Sequence, residues 1–166
     1  IGKKLIKKCL GFDMKVIVYD PYVDEKVINS FGGKKINDFK KGLSETDILS
    51  LSVPLNKETK NFITLKEMSI MKKSSIIINI SRGGIVNEED LNLALNKKII
   101  SFAGLDVFEK EPPEMTNPLL NNNRVLLSPH AATFTRECLE NMSMETVQNI
   151  IDFFEKKIES IKIVKL

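Results

Sequence analysis

The chain has 166 residues, 42% of them hydrophobic and 28% charged, with a net charge of +3 at neutral pH. That length suits one domain with a buried core, and the scattered lysines favour neither nucleic acid nor an anionic membrane surface. Cys9 and Cys138 follow no CxxC or metal-ligand spacing, so no metal is expected and a reducing, cytoplasmic setting is the simplest context.

No apolar run reaches the roughly 20 residues of a membrane helix. Residues 2–12 carry helical spacing in Leu5, Ile6, Cys9 and Leu10, with Gly11 near the end. Residues 15–19 read as a strand closed by Asp20-Pro21, and 24–31 as a short helix stopped by Gly32-Gly33. A second strand spans 48–53 and ends at Pro54. Residues 64–73 read as a helix with Leu65, Met68 and Met71 inward. The nearly unbroken isoleucines of 75–80 predict a strand buried on both faces. Asn87 suits an N-cap, followed by Glu88, Glu89 and Asp90 in the first turn of a helix running to about Lys98. Then come a strand over 99–108, a Pro-rich loop and a strand over 125–127.

The longest helix is expected from Thr135 to about Ile158, with apolar Leu139, Met142, Val147, Ile150, Ile151, Phe154 and Ile158. The tail 161–166 is apolar and alternating, which suits a strand or a segment packed on another domain. Strands alternating with helices predict a Rossmann-type, doubly wound, mainly parallel α/β sheet with flanking helices. Residues 1–134 are expected to form that domain, and 135–166 a helix and tail leading elsewhere.

Three charged residues stand just past strand-like runs, where open α/β sheets collect functional groups. His130, the single histidine, lies in Ser128-Pro129-His130 after Val125-Leu126-Leu127. Histidine is the side chain that changes charge near neutral pH, so His130 is the first candidate for acid–base chemistry. Arg82 follows Ile76-Ile77-Ile78-Asn79-Ile80-Ser81, and Glu111 lies beyond Leu105-Asp106-Val107-Phe108. A solvated Glu111 and an Arg82 that caps its own turn are the alternatives.

Dinucleotide-binding folds feed a strand into G-x-G-x-x-G, with an acid about 20 residues on that binds ribose hydroxyls. Ile1-Gly2, a helix and a strand ending in Tyr19-Asp20 correspond to the stretch that begins at the last glycine of that fingerprint. The first strand and two glycines would then lie outside this chain, which reads as part of a longer product. Asp20 would bind the ribose and repel a 2′-phosphate, favouring NAD over NADP; the alternative is a turn former before Pro21.

Five blocks carry a family resemblance: Tyr19-Asp20-Pro21-Tyr22; Val53-Pro54-Leu55 with Thr59; the run from Ile78 to Val86 through Ser81-Arg82-Gly83-Gly84; Gly104-Leu105-Asp106-Val107-Phe108-Glu109-Lys110-Glu111-Pro112; and Ser128-Pro129-His130-Ala131-Ala132. In this order they resemble the NAD-binding domain of the D-isomer-specific 2-hydroxyacid dehydrogenases. The resemblance implies that His130 is the acid–base residue, Glu111 its partner and Arg82 the anchor of a substrate carboxylate. It implies cofactor contacts from Ile1 and Gly2 at the pyrophosphate turn, and from Asp20, Val53, Pro54, Thr59, Ile80, Ser81, Arg82, Asp106 and His130. Asp106 would lie near the nicotinamide carboxamide, with a turn cap as its alternative; Val53 has the alternative of simple core.

The function implied is hydride transfer between a small 2-hydroxy or 2-keto acid and NAD, in a homodimer. A non-catalytic NAD-sensing module of corepressor type is the competing reading, and an inactive fragment of the enzyme is another. A formate-dehydrogenase-like relative would pair its His with Gln, and Glu111 speaks against it.

Overall fold

The computed structural model describes residues 1–159. The chain divides into two compact units, the first Ile1–Pro129 and the second beginning at His130.

The first unit opens with α1 (Gly2–Leu10), β1 (Ile17–Val18), α2 (Glu25–Ser30), β2 (Lys34–Lys35) and α3 (Phe39–Glu45). It continues through β3 (Ile48–Leu51), α4 (Leu65–Met68), β4 (Ile76–Asn79), α5 (Glu88–Asn96), β5 (Phe102–Leu105), a 3-10 turn (Pro118–Asn121) and β6 (Val125–Leu127). Every strand pairing is parallel. The strands form two sheets rather than one: β1 with β2, and β3-β4-β5-β6 in chain order. Strand neighbours consecutive in sequence, each joined by a helical or looped crossover, are what short right-handed connections produce.

Register explains the core. Leu49, Ile77, Ala103 and Val125 align across one face, as do Leu51, Asn79, Leu105 and Leu127. These pack with Leu43 of α3, Met68 of α4, Leu91, Ala94 and Leu95 of α5, and Leu119. Met68, Ile77, Leu91, Leu95 and Leu119 are fully buried, each burial being worth about 2 kcal/mol.

The opposite face corrects the expectation of a strand buried on both sides. Ile76 and Ile78 are only half-buried, and Phe102 and Leu126 are exposed. They line a shallow apolar depression of about 390 Å³.

Local chemistry sets the boundaries. Asp24, Asp38 and Asn87 cap α2, α3 and α5 through side-chain oxygens that accept backbone N–H groups. Thr64 and Glu67 form a reciprocal capping box on α4, which is shorter than the 64–73 expected because the chain leaves the helix at Ser69. The 3-10 turn within the Pro-rich loop went unforeseen, as did two further elements. β2 is a pair of lysines without apolar pattern, and α3 carries Gly42 in its middle. Gly42 is buried, and a Cβ there would overlap Ile36 Cδ1.

The second unit holds α6 (Arg136–Phe154), capped by Thr135 Oγ1 accepting the Cys138 amide. None of its residues is buried; Leu139, Met142, Val147, Ile150, Ile151 and Phe154 are all exposed. The expected tail, 161–166, lies outside the described residues. No helix is long and apolar enough to cross a membrane among the described residues.

Candidate functional site

Parallel strands bring their carboxyl ends to one edge of a sheet: the candidates from Val53 to Glu111 stand on loops leaving that edge of β3-β4-β5-β6, Asp20 follows β1 of the other sheet, and Ile1 and Gly2 open α1. Asp20 lies two residues past β1. Its Oδ1 accepts the amides of Tyr22 at 2.9 Å and Val23 at 3.1 Å. Asp20 is therefore a turn former, and Oδ2 keeps no hydrogen-bond partner among the described residues.

The loop after β3 is fastened by its own polar groups. Asn56 Oδ1 accepts the amides of Glu58 at 2.8 Å and Thr59 at 2.9 Å, and Thr59 Oγ1 donates to the Pro54 carbonyl at 2.6 Å. Val53 is half-buried against the core, so its packing role is realised. The same loop is laced to the next one: Asn61 N donates to Gly84 O at 2.7 Å, and Ile63 pairs with Val86 as a parallel bridge.

After β4, Asn79 has a role that its sequence context disguised. It is 2% exposed, and its Oδ1 accepts the Ser81 amide at 3.1 Å and the Ser81 hydroxyl at 2.8 Å. Its Nδ2 donates to the Arg82 carbonyl at 2.9 Å. One buried amide thus shapes the loop that carries Ile80, Ser81 and Arg82. The signal was available, because an Asn inside an isoleucine strand must find partners or destabilise it. Arg82 itself is exposed, its Nη1 donating to the Ser81 carbonyl at 2.6 Å.

Gly83 and Gly84 then press this loop onto the one after β5. A Cβ at Gly83 would overlap the carbonyl of Phe108 and the amide of Glu109. Gly84 has a φ of +76°, a conformation that favours glycine.

The loop after β5 begins with Asp106, which is 3% exposed and accepts a 2.5 Å hydrogen bond at Oδ1 from Ser128 Oγ. Its amide donates to Asn79 O at 3.0 Å, tying the β4 and β5 ends together. Glu111 curls back so that Oε1 accepts the Phe108 amide at 3.0 Å. Glu88, in the first turn of α5, adds a brace: Oε1 accepts the Glu109 amide at 2.5 Å, and Oε2 accepts from Asn117 at 2.8 Å. In the sequence Glu88 stands out only as a helix-dipole residue.

The structure thus brings together the loops of Arg82, Asp106 and Glu111. His130 opens the second unit, two residues after Ser128, with a φ of +52°.

The nicotinamide cofactor suggested by the sequence can be tested against the residues present. The first turn of α1 contains no acidic residue, and Ile1 offers no side-chain cap. A nine-residue helix whose N-terminal amides are uncapped favours an anion. Together with Asp20 Oδ2, these groups fit a dinucleotide: amides for pyrophosphate and a carboxylate for ribose hydroxyls. Among the described residues no His, Cys, Asp and Glu cluster could hold a metal.

The model of the D-isomer specific 2-hydroxyacid dehydrogenase NAD binding domain matches residues 1–132. The chain belongs to that family. It is 39% identical over 137 residues to a D-3-phosphoglycerate dehydrogenase of Methanocaldococcus jannaschii, covering 82% of this chain and 26% of that protein. It is 40% identical over 162 residues to a glyoxylate reductase of Thermococcus litoralis, covering 95% and 47%. The NAD-complexed D-isomer specific 2-hydroxyacid dehydrogenase of Lactobacillus delbrueckii superimposes with a TM-score of 0.86 at 29% identity, covering 96% of this chain and 52% of the other. The chain therefore spans about half or less of the length of these relatives. The Rossmann-type fold and NAD-binding character expected from sequence stand.

Proposed function

We propose that the protein is an NAD-dependent oxidoreductase that moves a hydride between a small 2-hydroxy acid and the cofactor. What supports this reading most is the packing of the Arg82 loop against the Glu111 loop at Gly83, at the carboxyl edge of a parallel sheet. A cation and a carboxylate are thereby carried on abutting loops of an NAD-binding domain.

Each residue has a role its chemistry can fill. The guanidinium of Arg82 grips a substrate carboxylate by two parallel hydrogen bonds, which a lysine cannot do. Its bond to the neighbouring Ser81 carbonyl is readily exchanged for that stronger pair. His130 takes the hydroxyl proton during oxidation and returns it during reduction. Glu111 holds the imidazole in one tautomer and stabilises its cationic form. Bound cofactor would supply the acceptor for the hydride. Asp106, Ile80, Ser81, Val53, Pro54 and Thr59 would line its site, with Gly2 and Ile1 at the pyrophosphate. We read 1–134 as this domain and 135–166 as the segment that leads away from it.

The exposed apolar residues of α6 favour a homodimer, or packing on another domain, and the free Cys9 and Cys138 favour a reducing, cytoplasmic setting. A monomer in light scattering of the full-length protein at micromolar concentration would remove the dimer. The second functional reading, a corepressor-type NAD sensor, keeps cofactor binding and discards catalysis.

Two variants of the full-length protein decide between them. His130→Ala should lower kcat about a hundred-fold or more while NAD affinity holds. Arg82→Ala should chiefly raise KM for the acid, with some loss of kcat from poorer placement. If both match wild type across candidate 2-keto acids, the sensing reading prevails.

A further inference from the structure

The loops after β1 and β3 are each locked internally, and a hydrogen bond joins them. Tyr22 Oη donates to Glu58 Oε2 at 2.9 Å, across 36 residues of sequence. Tyr22 leaves the Asp20 turn, whose carbonyl at Val23 is held from the other side by Lys35 Nζ at 2.6 Å. Glu58 belongs to the Asn56 turn and directly precedes Thr59. Tilted ring contacts run from Tyr19 through Phe39 of α3 to Phe62, at centroid distances of 5.0 and 4.7 Å. The two loops are therefore linked by apolar rings through α3 and directly by Tyr22 and Glu58.

β1 and β3 are not hydrogen-bonded neighbours among the described residues, and the Tyr22–Glu58 bond joins their loops. It also places a second carboxylate near Asp20.

We propose that Tyr22 and Glu58 form a strap over the adenosine end of the cofactor site, and that Glu58 is a determinant of selection against a 2′-phosphorylated cofactor. The inference rests on the NAD-binding reading of this domain. The strap has two separable parts. The hydroxyl holds Asp20 at its place for the ribose hydroxyls, and the Glu58 charge repels a 2′-phosphate. The Tyr22 hydroxyl titrates above its ordinary value, first because it donates to Glu58, then through the Glu58 charge, slight burial and the Asp20 charge. Both carboxylates thus act on one point at the rim.

Conservative variants of the full-length protein separate the parts. Tyr22→Phe keeps the ring and the Glu58 charge but removes the bond. It should weaken NAD binding about threefold to tenfold, the scale of one exposed hydrogen bond to a charged group. Glu58→Gln keeps an acceptor for the Tyr22 hydroxyl and removes the charge. It should weaken NAD binding by less than Tyr22→Phe does and lower the ratio of NADP to NAD dissociation constants about fivefold, an effect that fades in high salt. A merely structural role would not move that ratio. Dissociation constants come from calorimetric titration with NAD and with NADP, and Asp20→Ala serves as the reference.

If Asp20→Ala changes the ratio while both strap variants bind as wild type does, the strap is refuted and the cofactor site stands. If Asp20→Ala also changes nothing, the placing of Asp20 at the ribose fails with it.

Discussion

Gly83 offers the sharpest test of how this site is built, because its neighbour Gly84 is a built-in control. A methyl at Gly83 would overlap the Phe108 carbonyl and the Glu109 amide, both main-chain groups with no rotamer to yield. The two loops must part, and the bonds that hold the far loop must part with them. Those include the Phe108 amide bond to Glu111 at 3.0 Å and the Glu109 amide bond to Glu88. Overpacking of this kind costs about 1–3 kcal/mol, and each bond to a carboxylate about 1–2 kcal/mol in such open surroundings. The sum for Gly83→Ala is about 3–7 kcal/mol, or a fall in Tm on the order of 10 °C.

Gly84→Ala meets a different obstacle. Its Cβ would sit at 3.7 Å from Glu109 Cγ and 3.8 Å from Leu55 Cδ1, ordinary contacts. Only the positive φ penalises it, by about 1–2 kcal/mol. Thermal denaturation of the two variants in the full-length protein, followed by circular dichroism, should rank Gly83→Ala well below Gly84→Ala. The surviving Gly83→Ala protein should also lose activity, since the loops of Arg82 and Glu111 have been pushed apart. A Gly83→Ala protein within about 2 °C of wild type, or less damaged than Gly84→Ala, would refute the close approach as the basis of the site.

Two further outcomes concern the carboxylates. Glu111→Gln should move the pH–rate profile for oxidation to lower pH, because a neutral amide no longer supports a cationic partner; an unmoved profile would remove Glu111 from its role. Thr64→Ala should cost about 1 kcal/mol in urea denaturation at pH 7 through loss of the capping box. Burial pushes the Glu67 carboxyl up, but hydrogen bonds from the Thr64 side chain and backbone outweigh it and hold it below its ordinary value. A depressed folded value means that this stabilisation is present above the unfolded carboxylate range and is lost as pH falls through the folded value. The gap between Thr64→Ala and wild type should therefore narrow below about pH 4; a gap constant down to pH 2 would deny Glu67 its part.

Residues whose partners lie nearby in sequence, or whose burial follows a period, were legible without coordinates. β4, β5 and β6 came from isoleucine, valine and leucine runs, and α5 from Asn87 and its acidic first turn. Where the burden passes to distant partners the signal fails. Lys34 and Lys35 form a strand because β1 offers them a backbone edge, not because lysines favour sheets. The face of β4 that looked doubly buried is half open, since an isoleucine run reports hydrophobicity and not what covers it. Arg82, Glu111 and Asp20 were visible as charges past strand ends. Glu88 and the Tyr22–Glu58 bond were not, as each depends on a partner 21 to 36 residues away.

The same physics explains why turn formers and proposed ligand residues coincide here. A parallel sheet leaves unpaired backbone amides where its strands end, and a buried unpaired amide is costly. Short polar side chains at those positions satisfy them: Asp20 for the β1 loop, Asn56 for the β3 loop, Asn79 for the β4 loop and Glu111 for the β5 loop. The two readings of Asp20, turn former or ribose acid, were therefore never exclusive. A carboxylate has two oxygens, and at Asp20 the turn engages Oδ1 alone. Folding fixes the carboxylate in one orientation with one oxygen, which pre-organises the other for a ligand. Replacing Asp20 by Asn would keep an oxygen for the turn and remove the charge. An assay of NAD against NADP on that variant therefore reports on recognition with the loop left in place.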